Sequence, residues 1–186
     1  MDNQDALISE SAHLETERFN KIYPAQKRKV LLVGGAGYIG ISIAQSLADN
    51  NIDVLIMDNF IYGHMKAIYT VLLSDRIQYV QHDIRSNLDK NFFSDYQVTD
   101  IVILAGLVGD PITKKYPNLS AEINNRGVQN FINQANGNNI NKLIFISTCS
   151  NYGLIKDGEK ADENFPLNPL SLYAEDKVNN EQYLTS

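Results

Sequence analysis

The amino-acid sequence predicts an α/β fold, a doubly wound parallel sheet with helices on both of its faces. Three observations lead to this prediction. Short apolar runs that suit buried strands recur along the chain, segments with helical spacing separate them, and the 186 residues, 44% of them hydrophobic, are enough to bury a core. Strands that alternate with helices form βαβ units, in which the strands run parallel and the crossovers are right-handed.

Five strands are predicted, and the first is the clearest. Residues 30–33 are a continuous apolar run that ends at two glycines, which is typical of a parallel strand buried on both faces. The predicted strands span residues 30–33, 52–57, 77–80, 101–104 and 143–146.

Helices are predicted between these strands from apolar residues at helical spacing. Ile39, Ile43 and Leu47 predict the first helix, which the asparagines at 50 and 51 close. The longest predicted helix spans residues 120–135 and ends near Gly137. Residues 1–28 lack such a pattern and are expected to be an arm or linker, which leaves residues 29–186 as the folded domain.

Composition and charge narrow the classes of function. The 16 basic and 22 acidic residues give a net charge of −6, which argues against nucleic acid and anionic membranes as partners. No apolar run approaches the roughly 20 residues of a membrane helix, and no signal peptide is visible. A single cysteine, Cys149, excludes an internal disulfide framework and a cysteine-rich metal site, so no metal is expected. These features predict a cytoplasmic protein.

A glycine-rich turn follows the first strand and opens the first helix. Its three glycines Gly34, Gly37 and Gly40 have the spacing G-x-x-G-x-x-G, and Tyr38 and Ile39 lie between the last two. Glycines at such a turn let the backbone approach a pyrophosphate, which binds at the amino end of the helix that follows. A purely structural tight turn is the alternative, and the surrounding strand and helix favour the dinucleotide site.

Carboxylates end the second and third predicted strands. Asp58, 18 positions after Gly40, is placed to accept hydrogen bonds from the adenosine ribose, and it is followed by Asn59. A carboxylate there repels a 2′-phosphate, so NAD is favoured over NADP. Asp83, followed by Ile84, is placed to accept a hydrogen bond from the adenine amino group, although a helix cap explains it equally well.

Candidate catalytic side chains lie near the end of the sequence. Tyr173 and Lys177 are four residues apart, so on a helix they share a face, and a cation beside a phenol lowers its pKa toward the range of a general base. An ordinary pair on a helix surface is the common alternative. Thr148 favours the catalytic interpretation, because it follows the fifth strand at the edge of the sheet where substrates bind.

With these motifs in this order, the chain resembles the extended short-chain dehydrogenase/reductases, above all the NAD-dependent nucleotide-sugar epimerase/dehydratase branch. The resemblance extends from Lys29 to the end of the sequence. The separation of 25 positions between Thr148 and Tyr173 is typical of that family. The residues that carry the resemblance are Gly34 to Gly40, Asp58, Asn59, Asp83, Ile84, Leu104 to Leu107, Asn124, Gly127, Thr148, Tyr173 and Lys177.

The resemblance implies a Rossmann-like NAD site and a reaction. Tyr173 would take a proton from a sugar hydroxyl while hydride passes to NAD and a keto-sugar forms. Lys177 would lower the Tyr173 pKa and hold the nicotinamide ribose. Thr148 would bind the reacting oxygen. The implied cofactor site consists of Gly34, Gly37, Tyr38, Ile39, Gly40, Asp58, Asn59, Asp83, Ile84, Ala105, Gly106, Leu107, Asn124, Tyr173 and Lys177.

Departures from the family pattern narrow the expected reaction. Sugar 4,6-dehydratases have Asp and Glu after the catalytic threonine, whereas this chain has Cys149 and Ser150. This counts against a 4,6-dehydratase, favours a 4-epimerase-like reaction over it, and leaves a keto-reductase-like reaction as the alternative. Cys149 is expected to be a packed, inert thiol, with a catalytic thiol as the alternative. Glu175 and Asp176 replace small residues, which is expected to change the helix surface through which the family forms homodimers.

Length sets the last expectation. Family members carry a further C-terminal part that binds the nucleotide-sugar substrate, and this sequence ends at Ser186, close to Tyr173 and Lys177. We therefore expect the domain to be incomplete at its C-terminus, without the substrate domain. The alternatives to an active enzyme are an NAD-binding protein without turnover and a catalytically incompetent fragment.

Overall fold

The computed structural model contains the predicted parallel sheet. It describes residues 27–63, 69, 74–156 and 158–186, so that nearly all of the predicted N-terminal arm lies outside the described residues. Each strand lies within one residue of its predicted bounds. The strands in the described part of the chain are β1 Lys29–Val33, β2 Asp53–Asp58, β3 Ile77–Gln81, β4 Asp100–Ile103 and β5 Lys142–Phe145.

The order of the strands indicates which edge of the sheet is expected to bind a ligand. The order is β3-β2-β1-β4-β5, and all neighbouring strands pair in parallel. From β1 the chain winds outward to β2 and β3, and then returns to build β4 and β5 on the other side. The carboxyl ends of β1 and β4 therefore flank the point where the winding reverses, which is where doubly wound sheets bind their ligands.

Helices cover both faces of the sheet, as predicted. The first begins after the glycine-rich turn, and the last carries Tyr173 and Lys177. The described helices are α1 Tyr38–Asp49, α2 Phe92–Asp95, α3 Asp110–Lys115, α4 Pro117–Ser120, a π-helical segment Ala121–Gly127, α5 Val128–Ala135, a 3₁₀ turn Cys149–Tyr152 and α6 Leu172–Thr185.

Two apolar cores lie on the opposite faces of the sheet. Alternate residues of β1 divide between them: Leu31 and Val33 pack in the core that contains Phe131, whereas Leu32 packs against Ala44 of α1. All these residues are buried. Since both faces of each central strand are covered, the strands are continuously apolar, which is why the sequence predicted them well.

A π-helical segment interrupts the long helix that the sequence predicted over residues 120–135. Residues Ala121–Gly127 form this segment, with regular helix before and after it. A Cβ on Gly127 would lie 3.0 Å from the carbonyl oxygen of Glu122 and 3.1 Å from the Ile84 side chain, so glycine permits the close packing at this point. Segments of this kind are often functional, and periodicity alone did not predict it.

Candidate active site

A cleft of about 530 Å³ opens at the carboxyl ends of β1 and β4, between the glycine-rich turn and α6. The structure brings together at this cleft most of the residues that the sequence predicted. The predicted residues that line it are Gly34, Gly37, Tyr38, Ile39, Gly40, Asp58, Asn59, Ile84, Ala105, Gly106, Leu107, Tyr173 and Lys177. Asp83, Asn124 and Thr148 do not line it, although each has a neighbour in sequence that does.

A second cleft, of about 660 Å³, lies at the opposite edge of the sheet, where the strands begin. It contains no predicted site residue. Asp53 forms ion pairs of 3.1 Å with both Lys27 and Arg76 there, and Lys29 donates to the side chain of Gln78 at 2.7 Å. The cleft beside the glycine-rich turn is the candidate site, because it lies where the winding of the sheet reverses.

The glycine-rich turn brings the backbone against two neighbouring strands. Gly34 has a φ of +76°, its N–H donates to the Met57 carbonyl at 2.7 Å, and a Cβ on it would lie 2.5 Å from the Cα of Ala105. At the start of α1, no side chain caps the helix and its first turn has no acidic residue. The amino end of α1 is therefore open to an anion.

Asp58 supports the same turn from the end of β2. Its carboxylate accepts from the backbone N–H of Ala36 at 3.0 Å and from that of Phe60 at 2.8 Å. These bonds fix the carboxylate where β2 enters the cleft. Its predicted role toward the ribose stays a prediction.

Asp83 is occupied by protein partners. Arg85 binds both of its carboxylate oxygens, at 2.7 and 2.9 Å, and the Asn59 amide donates to it at 3.1 Å. Hydrogen bonds from the Arg85 side chain hold the Asp83 pKa well below its ordinary value. Burial of the carboxylate acts in the opposite direction, with a smaller effect. Asp83 thus orients Asn59 at the cleft, and its bond to adenine stays a prediction.

Asn124 holds the loop that follows β4. Its side-chain oxygen accepts from the Leu107 N–H at 2.6 Å, and its amide donates to the Leu107 carbonyl at 3.0 Å. On α6, the amide of Asn180 donates to the backbone carbonyl of Asn124 at 2.6 Å. The π-helical segment therefore links α6 to the wall of the cleft.

Asp176 is buried within the chain. It faces the end of α4, where the Ser120 hydroxyl donates to its carboxylate at 3.4 Å, and the π-helical segment that follows; burial raises its pKa. The expectation that Asp176 alters the helix surface is wrong, because this side of α6 packs against the chain's own helix. Glu175 is exposed, as expected.

Tyr173 and Lys177 share one face of α6, as predicted. The Lys177 Nζ lies 5.7 Å from the centre of the Tyr173 ring and 4.5 Å from that of the Phe145 ring, and it donates to the Ile146 carbonyl at 2.6 Å. Burial lowers the pKa of Lys177 to about 8, against a smaller opposing effect of Glu181.

The expected depression of the Tyr173 pKa is wrong for this structure. Burial of the phenol, with a smaller contribution from Tyr38, raises the Tyr173 pKa above its ordinary value. The ammonium of Lys177 is directed to a backbone carbonyl, and burial therefore dominates. The phenol is the resting form of Tyr173 in the cofactor-free chain.

Thr148 precedes a 3₁₀ turn, and its hydroxyl caps that turn. The Thr148 Oγ1 accepts from the Ser150 N–H at 3.2 Å, while the preceding residue, Ser147, lines the cleft. Cys149 is exposed, so the expectation of a packed thiol is wrong. The role of Thr148 toward a substrate oxygen stays a prediction.

Sequence reasoning missed a polar group beside Lys177. The Ser147 hydroxyl donates to the Glu181 carboxylate, and the Asn151 amide donates to the same oxygen at 3.0 Å. The spacing of four residues between Lys177 and Glu181 was a visible signal, because it places both on one face of α6.

The described residues contain no group of three or more His, Cys, Asp or Glu side chains able to hold a metal ion. None of the helices in this part of the chain has the length and apolar character needed to cross a membrane.

Comparison with known proteins decides the family. The profile of the NAD dependent epimerase/dehydratase family matches residues 30–186. The chain belongs to this family. Its fold and cofactor class therefore agree with the sequence-based expectation of an NAD-binding, Rossmann-like domain.

Three similar proteins illustrate the family. The putative UDP-glucose 4-epimerase of Methanocaldococcus jannaschii is 31% identical over 83% of this chain and 49% of that protein. The UDP-glucuronic acid 4-epimerase of Bacillus cereus, in complex with UDP-glucuronic acid and NAD, superposes with a TM-score of 0.75 at 25% identity, over 84% of this chain and 51% of that one. A dTDP-glucose 4,6-dehydratase of Streptomyces venezuelae with NAD bound has a TM-score of 0.74 at 26% identity, over 83% and 50%. The chain thus spans about half the length of the relatives it matches.

The cleft has the features that NAD requires of this fold. Its volume of about 530 Å³ falls in the range of cofactor pockets. Gly37 leaves room at the amino end of α1, since a Cβ there would meet only the Gly34 carbonyl oxygen, at 3.6 Å. A fixed carboxylate, that of Asp58, stands at the end of β2. The residues present therefore fit this cofactor of the epimerase/dehydratase family.

The buried charge of Lys177 makes a prediction about stability and pH. Its folded-state pKa of about 8 lies below the ordinary 10.5, so the unfolded chain binds more protons between these values and stability rises with pH across that window. Keeping the charge at pH 7 costs about 3 kcal/mol. Lys177→Met removes this cost and loses the bond to Ile146, worth about 1–2 kcal/mol. We expect the variant to be more stable at pH 7 and less stable at pH 10.5.

Urea unfolding of both proteins from pH 6.5 to 10.5 measures this, and the two stability curves should cross. Lys90→Met, at an exposed lysine, is the matched control and should run parallel to the parent. Parallel curves for Lys177→Met would contradict a buried charge at this position.

Proposed function

We propose that the protein is the cofactor-binding and proton-transferring part of an NAD-dependent oxidoreductase that acts on a nucleotide-sugar through a keto-sugar intermediate, with an epimerase-like outcome. The observation that carries the proposal is that Tyr173 and Lys177 of α6 line the same cleft as the glycine-rich turn and Asp58. A proton-transfer group and a dinucleotide cradle thus face one space. Among the relatives, the Bacillus cereus epimerase binds UDP-glucuronic acid and NAD together.

Each side chain has a role in this proposal. Gly37 and Asp58 would hold the pyrophosphate and the adenosine ribose, and Asn124 would keep the Leu107 loop shaped for the cofactor. Bound NAD supplies the hydride acceptor. Tyr173 would act as the phenolate, which the Lys177 ammonium stabilises, and would become a phenol on accepting the proton of the sugar hydroxyl.

The residues of the 3₁₀ turn favour one outcome after oxidation. A dehydratase needs an acid and a base beside the sugar to eliminate water, and this turn has Cys149 and Ser150 at the corresponding positions. Neither forms the required pair of carboxyl groups. An epimerase needs no such pair, because hydride returns to the other face of the keto-sugar. We therefore favour 4-epimerase-like chemistry, although a dehydratase is among the similar structures.

A second candidate is an NAD-binding protein without turnover. The observation that favours it is the Thr148 hydroxyl, which caps its own turn at 3.2 Å and does not line the cleft. Adding a nucleotide-sugar to the NAD-loaded protein distinguishes the two candidates. Only the enzyme converts the nucleotide-sugar and transiently forms NADH, which is detected by its fluorescence.

Asp58→Ala tests the cofactor site itself. At a hundredfold excess over its dissociation constant, NAD should raise the melting temperature of the parent by about 5–10 °C. The variant loses a charged acceptor for the ribose hydroxyls, worth about 1.5–3 kcal/mol, so its affinity should fall about 10- to 100-fold. The measurement is the melting temperature against NAD concentration.

Asp95→Ala, at an exposed carboxylate of α2, is the control and should respond as the parent does. NADP should raise the melting temperature of the parent much less than NAD does. In Asp58→Ala a larger share of the NADP shift than of the NAD shift should survive, because the repulsion between the carboxylate and the 2′-phosphate is gone. An unchanged NAD response of Asp58→Ala would refute the role of Asp58, and no response of the parent at millimolar NAD would refute the cofactor site.

Pairing of two copies and location in the cell belong to the same proposal. The resemblance implies a homodimer formed through α6, in which exposed Glu175 would face a second copy, whereas buried Asp176 would not. A cytoplasmic location stays a prediction of the sequence.

A further inference from the structure

Behind the catalytic face of α6 lies a group of hydrogen-bonded polar side chains that the proposed mechanism does not use. It consists of Ser147 after β5, Asn151 in the 3₁₀ turn and Glu181 one helical turn beyond Lys177. The Ser147 hydroxyl and the Asn151 amide both donate to one carboxylate oxygen of Glu181, the amide at 3.0 Å. The same amide also donates to Ser147 at 3.1 Å, which closes the group into a ring.

This group connects two residues of the site. Asn151 is buried in the turn that Thr148 caps, and its N–H donates weakly, at 3.4 Å, to the Thr148 carbonyl. Its own carbonyl accepts from the Asn168 N–H at 2.8 Å, which ties the following loop to the turn. Glu181 therefore anchors the turn next to Thr148 onto α6.

Glu181 also bears on the charge of Lys177. The two residues are four apart on one helix, so their side chains are neighbours. The other groups that face Lys177 are the Tyr173 phenol, the Phe145 ring and the Ile146 carbonyl. Tyr38 acts on Tyr173 from α1. Among the described residues, Glu181 is the charged group that opposes the effect of burial on Lys177.

We propose that Glu181 is a positioning residue, which anchors the turn that carries Thr148 and keeps Lys177 positively charged near neutral pH. It touches neither cofactor nor substrate and acts through those two residues. Without its carboxylate, a larger share of Lys177 is neutral at pH 7–8, and the ammonium that holds the ribose and stabilises the phenolate is lost. Only this consequence for catalysis rests on the proposed function.

Two substitutions separate the two effects of Glu181. Glu181→Gln keeps an oxygen that accepts from Ser147 and Asn151 but removes the charge. Ser147→Ala keeps the charge but removes one donor to it. Glu175→Gln, at an exposed position of α6, removes a charge of the same sign and is the matched control.

The titration of Lys177 is measured in the cofactor-free chain with ¹³C-labelled lysine, and Lys177→Arg assigns the signal. We expect the Lys177 pKa to fall by roughly 1 unit in Glu181→Gln and to stay within about 0.3 units in Ser147→Ala and Glu175→Gln. Amide hydrogen exchange at residues 150–152 and 168 should accelerate at least severalfold in Ser147→Ala, and little in Glu181→Gln.

Each result decides one part of the inference. An unchanged Lys177 pKa in Glu181→Gln overturns the charge-holding role, and unchanged exchange in Ser147→Ala overturns the anchoring role. Circular dichroism confirms that each variant is folded. A separate measurement is the affinity for NAD from pH 6 to 9. As pH rises, NAD binding should begin to weaken at a pH about 1 unit lower in Glu181→Gln than in the parent. Failure of the parent to bind NAD refutes the proposed function and leaves the titration result standing.

Discussion

Gly34→Ala is expected to lower the free energy of unfolding by about 2–5 kcal/mol. Gly34 has a φ of +76°, which costs an L-residue about 1–2 kcal/mol, and the added Cβ would lie 2.5 Å from the Cα of Ala105. This neighbour is backbone and cannot rotate away, so β1 and the segment after β4 must separate, at a further cost of about 1–3 kcal/mol. Urea unfolding at pH 7 measures the loss.

Two other glycines give matched controls. Gly137 has a φ of +79° with nothing within 4 Å, so Gly137→Ala should show the backbone cost alone, about 1–2 kcal/mol. A Cβ on Gly37 makes an ordinary contact of 3.6 Å, and the backbone there is extended, so Gly37→Ala should fold as well as the parent.

Gly37→Ala should nevertheless lose NAD binding, because its Cβ lies at the amino end of α1, where the pyrophosphate must approach the backbone. The three variants thus separate strain, collision and cofactor access. Equal losses of stability in Gly34→Ala and Gly137→Ala would show that the close approach to Ala105 is unimportant, and full NAD affinity in Gly37→Ala would refute the pyrophosphate site.

The sheet and the glycine-rich turn could be predicted because local chemistry determines both. Leu31 and Leu32 face opposite cores, so the strand had to be apolar throughout, and this pattern is readable without any knowledge of the fold. Gly34 and Gly40 are likewise required by backbone geometry, since a Cβ on either would lie within 2.6 Å of another backbone atom.

Other features depend on contacts that periodicity does not encode. The π-helical segment places Asn124 against Leu107 and lets Gly127 approach Ile84, and both partners come from distant parts of the chain. Burial of Asp176 depends on the angle at which α6 packs against that segment. The Tyr173 pKa depends on where the Lys177 ammonium is directed, which the four-residue spacing alone leaves open.

Tyr173→Phe is expected to lower kcat about 10²- to 10⁴-fold, which is the usual contribution of a general acid–base group. The assay uses a form of the polypeptide that converts a nucleotide-sugar. The ring remains to cover Lys177, and one hydroxyl is removed. NAD affinity should therefore fall less than about tenfold, the worth of one hydrogen bond. Nucleotide-sugar conversion at saturating NAD and a separate NAD titration measure the two quantities.

The raised pKa of Tyr173 makes the role of Lys177 testable in the same background. Because burial opposes the phenolate, a buried base needs a neighbouring cation during proton transfer, and Lys177 is 5.7 Å from the ring. If Lys177 acts on kcat through Tyr173, then Lys177→Met should cost the parent heavily but cost Tyr173→Phe almost nothing further, because the group it acts on is gone. Additive losses in the double variant would mean that Lys177 contributes independently. Turnover above a tenth of the parent value in Tyr173→Phe would exclude the phenol as the base.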